Sequence, residues 1–429
     1  MVKIAPEFQD FVTGAEQSVI GECDLEGRSI EAEPLLNGAP YKIHRQSFDV
    51  AHRRAAGTFF TGSSNAMQIA QQLRESLPAD GMVMDPTCGI GDLLLAYAKH
   101  LPLEANLNET LVAWGKRLSG FDLDVDLVRL TKTRLLLCAR LRGGFTGKIE
   151  SIDEIFPQIR VGDMLQAKRD LGKPDGFLFN PPFGVVKEVG KCSWSAGSAN
   201  AAALFLAELI AQAKKTARIS AILPEVLRCG SRYAAFRAHL EKQGYSAGYK
   251  SLGRFDAWAD VDVFSTLIVP SANGKLWGGG VEARSHLCVG DKFNVHVGAV
   301  VPHRHPHKGA WHRYICAKTT PRWCYGFEPK SSRRFRGTVF KPPFVVVRRT
   351  SSPSDRKRAV ATIIVGDRTV AVENHLLVLL PLDGELESCR RLLQVLASDK
   401  TNAYLNAGMR CRHLTSGIVG LIPWYQPND

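Results

Sequence analysis

The run Gly81-Met82-Val83-Met84 reads as a short buried strand. It passes directly into Asp85-Pro86-Thr87-Cys88-Gly89-Ile90-Gly91-Asp92 and then into the helical apolar run Leu93-Leu94-Leu95-Ala96. Strand, glycine turn and helix in that order form half of a parallel α/β unit, so this segment restricts the fold more than any other. The glycines let the backbone approach a ligand closely, and the helix N-terminus offers partial positive charge. The turn lacks the third glycine of the dinucleotide fingerprint, and an acid, Asp85, opens it. A carboxylate there repels a pyrophosphate and suits a ligand that carries a cation.

The alternation continues. A second strand ends at Gly120-Phe121-Asp122, placing a carboxylate where a doubly wound sheet holds ribose hydroxyls, and a helix is expected over residues 125–141. The spacing from Asp85 to Asp122 exceeds the roughly 20 residues usual between such elements, so residues 101–119 should hold an insertion. A third strand end, Ile159-Arg160-Val161-Gly162-Asp163, supplies another acid. Beyond it come an apolar helix over 201–217, a buried strand over 219–223, an amphipathic helix over 232–243 and a strand over 263–270. Any one of these acids alone reads more readily as a cap or surface group. Three at strand ends mark the carboxyl edge, where open α/β sheets bind ligands.

Asn180-Pro181-Pro182-Phe183 follows the apolar run Gly176-Phe177-Leu178-Phe179. Two prolines fix φ and hold each preceding residue extended, so the chain leaves its strand stiffly. The Asn180 side chain and the Pro181 carbonyl then offer acceptor oxygens to one pocket, which suits an exocyclic amino group held by both of its N–H bonds. Phe183 adds a flat face for a ring, and Phe255 and Trp258 are candidates for the opposite wall. Residues 185–200, rich in Gly, Ser and Lys, are expected to form a lid over this pocket or a surface loop.

Together these segments resemble the amino-methylating DNA adenine methyltransferases whose cofactor region precedes the catalytic motif and whose DNA-reading domain is C-terminal. The matching segments are Gly57-Thr58-Phe59-Phe60-Thr61, Asp85 to Gly91, Asp122, Gly162-Asp163 and Asn180 to Phe183, in the family's order; Gly62 stands where the family has proline. The likeness covers about residues 45–270 and implies a Rossmann-like doubly wound S-adenosylmethionine-dependent methyltransferase sheet with a basic C-terminal target-recognition domain. It implies S-adenosyl-L-methionine as cofactor, with Thr61, Asp85, Cys88, Gly89 and Gly91 around the methionine moiety, Asp122 on the ribose and Asp163 on the adenine. It also implies transfer of the methyl group to the N6 amine of a flipped adenine in duplex DNA, with Asn180, Pro181, Pro182 and Phe183 as the catalytic motif.

Charge adds an asymmetry. Of the net +13, none lies in residues 1–270, where 31 Lys plus Arg balance 31 Asp plus Glu; residues 271–429 carry 24 against 11. A basic module beside a neutral α/β fold points to a polyanion, and double-stranded DNA fits the chemistry. Arg333, Arg334 and Arg336, Arg348 and Arg349, and Arg356, Lys357 and Arg358 are the candidate phosphate contacts. The domain expectation is an N-terminal arm or cap over 1–45, a catalytic domain over 46–270 and a basic recognition domain over 271–429, entered through a glycine-rich linker at 271–280. In that last domain β-type runs at 344–347 and 361–365, a helix over 389–397 and a final strand over 418–423 are expected.

His303, His305, His307 and His312 near Cys316 and Cys324 lack metal-ligand spacing, so no metal is expected. Ten cysteines without close pairing predict reduced thiols and a cytoplasmic location. No apolar run has membrane-spanning length, and any restriction endonuclease partner should be a separate polypeptide. Two other readings stay open: an amino-methyltransferase acting on RNA or on protein glutamine, and a catalytically silent DNA-binding protein.

Overall fold

Strands β1 (Val83–Asp85), β2 (Leu118–Asp122), β3 (Ile159–Val161) and β4 (Gly176–Phe179) lie parallel, in the spatial order β3-β2-β1-β4. A small ribbon of β5 (Val185–Val186) and β6 (Ala199–Asn200) follows. The sheet then continues through β7 (Arg218–Pro224), β8 (Tyr245–Ala247), β9 (Lys250–Arg254) and β10 (Asp262–Pro270). Strand β7 is parallel to β4, whereas β10 runs antiparallel to β7, β8 and β9. This computed structural model describes residues 5–21, 33–49, 60–187, 192–195, 197–255, 261–272, 274–277, 287–410 and 412–425. They form two compact units, residues 1–228 with 232–278, and residues 279–429 with 229–231.

The first unit is the Rossmann-like doubly wound α/β sheet that the sequence predicts. Its chain runs outward from β1 to β2 and β3, then crosses back to β4 on the other side of β1, so the order reverses between β1 and β4. Beyond the carboxyl ends of those two strands lies the switch-point crevice where such sheets bind ligands. All four residues of β4 are buried, as a strand covered on both faces requires. Helix Ser63–Ser76 packs on β4, β7 and β10, and helix Val125–Gly143 packs on β2 and β3. The first approach is so close that a Cβ on Gly176 would lie 2.4 Å from Leu77 Cδ1. Helix Val125–Gly143 starts where Asp124 accepts from Asp126 N and stops at the left-handed Gly144.

Local differences from the expected elements have simple causes. The insertion between β1 and β2 contains helix Leu107–Arg117, capped by Asn106. The helix beginning at Ala201 ends at Gln212, and the one expected from residue 232 begins as a 3-10 turn and becomes α-helical at Ala234. Helix Pro6–Ile20 packs on helix Val125–Gly143, with Phe8, Val12 and Val19 buried in the shared core and Glu16 paired to Arg129 at 2.6 Å. Of the expected lid, residues 188–191 and 196 lie outside the described residues, and its ends pair as β5 and β6. Parts of the expected linker, residues 273 and 278–280, also lie outside them.

The second unit is built on strands β11 (Phe293–Val297), β12 (Ala310–Ile315), β13 (Ser332–Phe335), β14 (Phe344–Arg348), β15 (Ala361–Ile364), β16 (Val370–Val372) and β17 (Leu376–Pro381). They form a four-stranded antiparallel sheet, β11-β17-β14-β15, and a three-stranded sheet, β13-β12-β16. Alternation along β14 divides the core: Val345 and Val347 join Leu392, Leu393 and Leu396 of helix Leu386–Ala397, while Phe344 and Val346 join Ile315 and Val370. The strand expected over 418–423 is absent. Residues Ser416–Gly420 are helical instead, because Thr415 Oγ1 accepts from Ile418 N and caps the turn, and an apolar run this short carries no period to distinguish the two. Among the described residues no helix is long and apolar enough to cross a membrane.

Candidate active site

The β1 turn is held by hydrogen bonds that leave its glycines no substitute. Gly89 and Gly91 have φ of 53° and 82°, and a Cβ on Gly91 would fall 2.8 Å from Thr131. Thr131 Oγ1 in turn donates to Gly89 O at 2.8 Å. Asp122, at the end of β2, accepts from Gly89 N at 3.0 Å through one oxygen and from Asp124 N at 3.0 Å through the other. Asp85 is 1% exposed and accepts from Thr87 N at 3.1 Å. The turn and both strand ends therefore wrap two carboxylates, Asp85 buried and Asp122 half-buried.

Those carboxylates are electrostatically strained. Burial, opposed by the Thr87 hydrogen bond and reinforced by Asp122 and Asp92, pushes the Asp85 carboxyl up from 3.8 to about 8. Burial also raises Asp122, to about 6, against its hydrogen bonds from Asp124 and Gly89. The same burial and the same two acids, Asp122 and Asp85, push the Cys88 thiol well above its ordinary range, which removes it as a nucleophile. A cationic ligand here would relieve the repulsion and restore both carboxylates to their charged form.

Asn180 joins this edge from β4. Its Nδ2 donates to Thr61 Oγ1 at 3.0 Å, and its backbone carbonyl accepts from Thr87 Oγ1 at 3.4 Å. The amide nitrogen thus faces Thr61, and the amide oxygen, Oδ1, is buried. Asn180 is half-buried, Pro181 buried and Pro182 half-buried. The Phe183 carbonyl accepts from Asn200 Nδ2 at 2.9 Å, and its ring meets Phe255 edge-on with centroids 5.4 Å apart. Trp258 lies outside the described residues, as do Gly57, Thr58 and Phe59 of the expected cofactor segment.

Asp163 follows β3 and accepts from Leu165 N at 2.9 Å and from Gln166 Nε2 at 3.1 Å. It lies beside β2, since Gly162 N donates to Asp122 O at 2.9 Å, but its carboxylate closes its own turn and makes no hydrogen bond to Asp85 or Asp122.

One residue escaped the sequence reading. Arg134, 1% exposed, donates to Leu35 O, Leu36 O and Ile90 O and pairs with Asp92 at 2.9 Å. Asp92 also accepts from Gly62 N at 3.1 Å. Arg134 thereby links residues 35–36, the glycine turn and, through Asp92, the Thr61–Gly62 segment. The sequence carried little signal for it, because Arg134, just before Leu135-Leu136-Leu137, is one of several basic residues on a helix that also holds Arg129, Lys132, Arg140 and Arg142.

The candidate phosphate contacts divide by placement. Arg334 and Arg336 are exposed, the former over the ring of exposed Trp311 at 5.9 Å, and Arg356 is exposed. Arg333 is 6% exposed and donates to His305 O at 2.6 Å, and Arg358 is 1% exposed and donates to Leu405 O, Met409 O and Asn406 Oδ1. Arg333 and Arg358 are therefore interior groups and not phosphate contacts; Arg358 satisfies carbonyls at the end of helix Asp399–Gly408. Arg349 donates to Asn374 O at 2.9 Å, Arg348 to Thr320 O at 2.9 Å, and Lys357 pairs with Asp399. Among the histidines, His305 accepts from Val301 N, and His312 bonds Thr369 Oγ1 at 2.7 Å. Among the described residues no three His, Cys, Asp or Glu side chains converge as a metal site.

Comparison of the whole chain with solved structures finds the type IIL restriction-modification enzyme MmeI, in complex with DNA, with a TM-score of 0.56 at 14% identity, over 90% of this chain and 71% of that one. The two share a fold. The DrdV–DNA complex (TM-score 0.43, 13% identity, 57% of this chain and 30% of that one) and the type IIG restriction endonuclease BpuSI (0.41, 12%, 91% and 60%) superpose less well. The chain spans less than two thirds of the length of those two. No protein-family model matches the sequence. No curated protein matches it.

Proposed function

We propose that the chain is an S-adenosylmethionine-dependent DNA adenine N6-methyltransferase of a restriction-modification or related defence system, with residues 46–270 as its catalytic domain and the basic remainder from 271 as its DNA-reading domain. One observation carries the reading: at the sheet's switch point, the Asn180 side chain donates to Thr61 and its backbone carbonyl accepts from Thr87, beside a turn that wraps two carboxylates raised in pKa. The shared fold with a restriction-modification enzyme bound to DNA supports it.

The residues present fit the cofactor. Asp85, Asp122 and the backbone of Gly89 and Gly91 would hold it, since two carboxylates raised in pKa favour a cation and a Cβ would press on Phe60 at Gly89 and on Thr131 at Gly91. Asp163 would accept from its adenine with the lone pairs its own turn leaves. When bound, S-adenosylmethionine supplies an electrophilic methyl group. The chain's part is to prepare the acceptor: the Asn180 amide oxygen and the Pro181 carbonyl accept both N–H bonds of the adenine amine, which draws its lone pair out of conjugation and aims it. Positioning and electrostatics then provide most of the acceleration. The Phe183 face stacks the everted base. No cysteine nucleophile takes part.

The test is transfer of labelled methyl from S-adenosylmethionine to duplex DNA, structured RNA and total protein, with the DNA digested and its nucleosides separated. N6-methyladenine in DNA alone is the expected result. Label confined to RNA or protein would move the assignment to those acceptors, and absence of cofactor binding would mean a silent DNA-binding protein.

A further inference from the structure

The second unit holds a cavity of about 360 Å³, bordered by Arg322, Trp323, Arg348, Asp355, Arg356 and Lys357. Its size falls within the roughly 300–1,000 Å³ of small-molecule sites, larger than one phosphate requires. Three separate segments bring five cations together, the turn before Trp323, the end of β14 and the loop before β15, the fifth being Arg358, whose guanidinium is taken up by Leu405 O, Met409 O and Asn406 Oδ1. Only Asp355 opposes them, and its carboxylate accepts from Ser352 N at 2.7 Å within its own loop. Lys357 is paired to Asp399, whereas Arg322 and Arg356 make no hydrogen bond or ion pair among the described residues.

Two features show that this cluster exists under strain. Arg348 Nε is buried without a hydrogen-bond partner, and burial together with neighbouring Arg322 lowers the Arg348 pKa from the ordinary arginine value. Trp323 has a φ of 56°, a left-handed conformation uncommon for a bulky side chain, fixed by its N–H donating to Ala361 O at 2.8 Å. An anion among the guanidinium groups would relieve the first cost, and Trp323, half-buried against the core of this unit, lines the cavity with an aromatic side chain.

We propose that this cavity is a nucleotide-binding pocket, in which Arg322, Arg348 and Arg356 take a phosphoryl group and Trp323 stacks the attached base. A strand of DNA or a free nucleotide would present the same chemistry. In naming DNA, the proposal rests on the functional reading above; in naming the phosphoryl group it does not.

The experiment uses the full chain, with Arg322→Gln/Arg356→Gln as the test variant and Arg322→Lys/Arg356→Lys as charge rescue. Both positions are exposed, and a thermal melt checks that the variants fold. Calorimetry with a short duplex and with thymidine monophosphate, chosen to avoid an adenine site, separates the sources. If a strand is the ligand, the glutamine variant binds duplex more weakly, its slope of log affinity against log salt falls by about two, and lysine restores much of the loss. If a free nucleotide is the ligand, thymidine monophosphate binds the native chain and not the glutamine variant, with duplex affinity unchanged. Unchanged binding of both probes overturns the proposal. Wild-type methyl transfer is measured separately, so a chain that binds through the pocket yet methylates no DNA refutes the functional reading and leaves the pocket standing.

Discussion

The glycine turn of the first unit and the arginine-rich second unit both bury charge, and they do so in opposite ways. Asp85 is buried and Asp122 half-buried at the sheet edge, neither in an ion pair among the described residues and each raised in pKa by burial. Arg358 is as deeply buried, but its guanidinium is met by Leu405 O, Met409 O and Asn406 Oδ1. Satisfied buried charge is architecture; buried charge left wanting a counter-ion indicates a ligand. The second unit sets a satisfied buried charge, Arg358, on the same cavity as the half-buried Arg348 and the exposed Arg322 and Arg356.

The largest effect should come from breaking satisfied charge. Arg358→Ala strands several buried carbonyls and is expected to cost about 3 kcal/mol or more of stability, read by denaturant unfolding. A loss below about 1 kcal/mol would erase the distinction drawn between Arg358 and its neighbours.

Unsatisfied charge should instead show in pH dependence. Asp85 has a folded pKa of about 8 against 3.8, so the stability it contributes is complete below pH 4 and disappears as the pH rises through 8. Asp85→Asn should therefore flatten the decline in melting temperature of the cofactor-free chain between those limits, while abolishing cofactor binding. A cation favours the ionised carboxyl, so native affinity for S-adenosylmethionine should rise by up to about tenfold per pH unit below that pKa, with proton release detectable in buffers of different ionisation heat. Flat affinity from pH 6 to 8 would show that Asp85 does not face the cation.

Two smaller substitutions sharpen the contrast. Gly91→Ala forces a Cβ against Thr131 at a φ of 82° and should cost about 1–3 kcal/mol, with cofactor affinity falling alongside. Arg356→Ala removes an exposed side chain and should change stability by no more than about 0.5 kcal/mol, while weakening duplex binding.

What was legible in the sequence was local. The β1 turn and the β4 end are continuous segments whose glycines and prolines specify backbone shape, and strand alternation gave the doubly wound sheet without reference to distant contacts. What was not legible depends on partners far along the chain. Arg134 reaches Leu35 and Ile90, and nothing near residue 134 names them. The run Arg356-Lys357-Arg358 looks uniformly basic, yet in an irregular loop one side chain turns outward, one pairs with Asp399 and one enters the core. The residues at 418–423 were too few to show a period, and a threonine cap decided them.

The most direct measurement compares Asn180→Ala with the native chain in two assays on the same preparation: calorimetric titration with S-adenosylmethionine, and labelled methyl transfer to duplex DNA. The expected result is methyl transfer lost by at least about a thousandfold, with cofactor affinity kept within a few-fold, because an amide that only prepares the acceptor acts after the cofactor is bound. Equal loss of both would contradict the account and make Asn180 a brace for Thr61 alone.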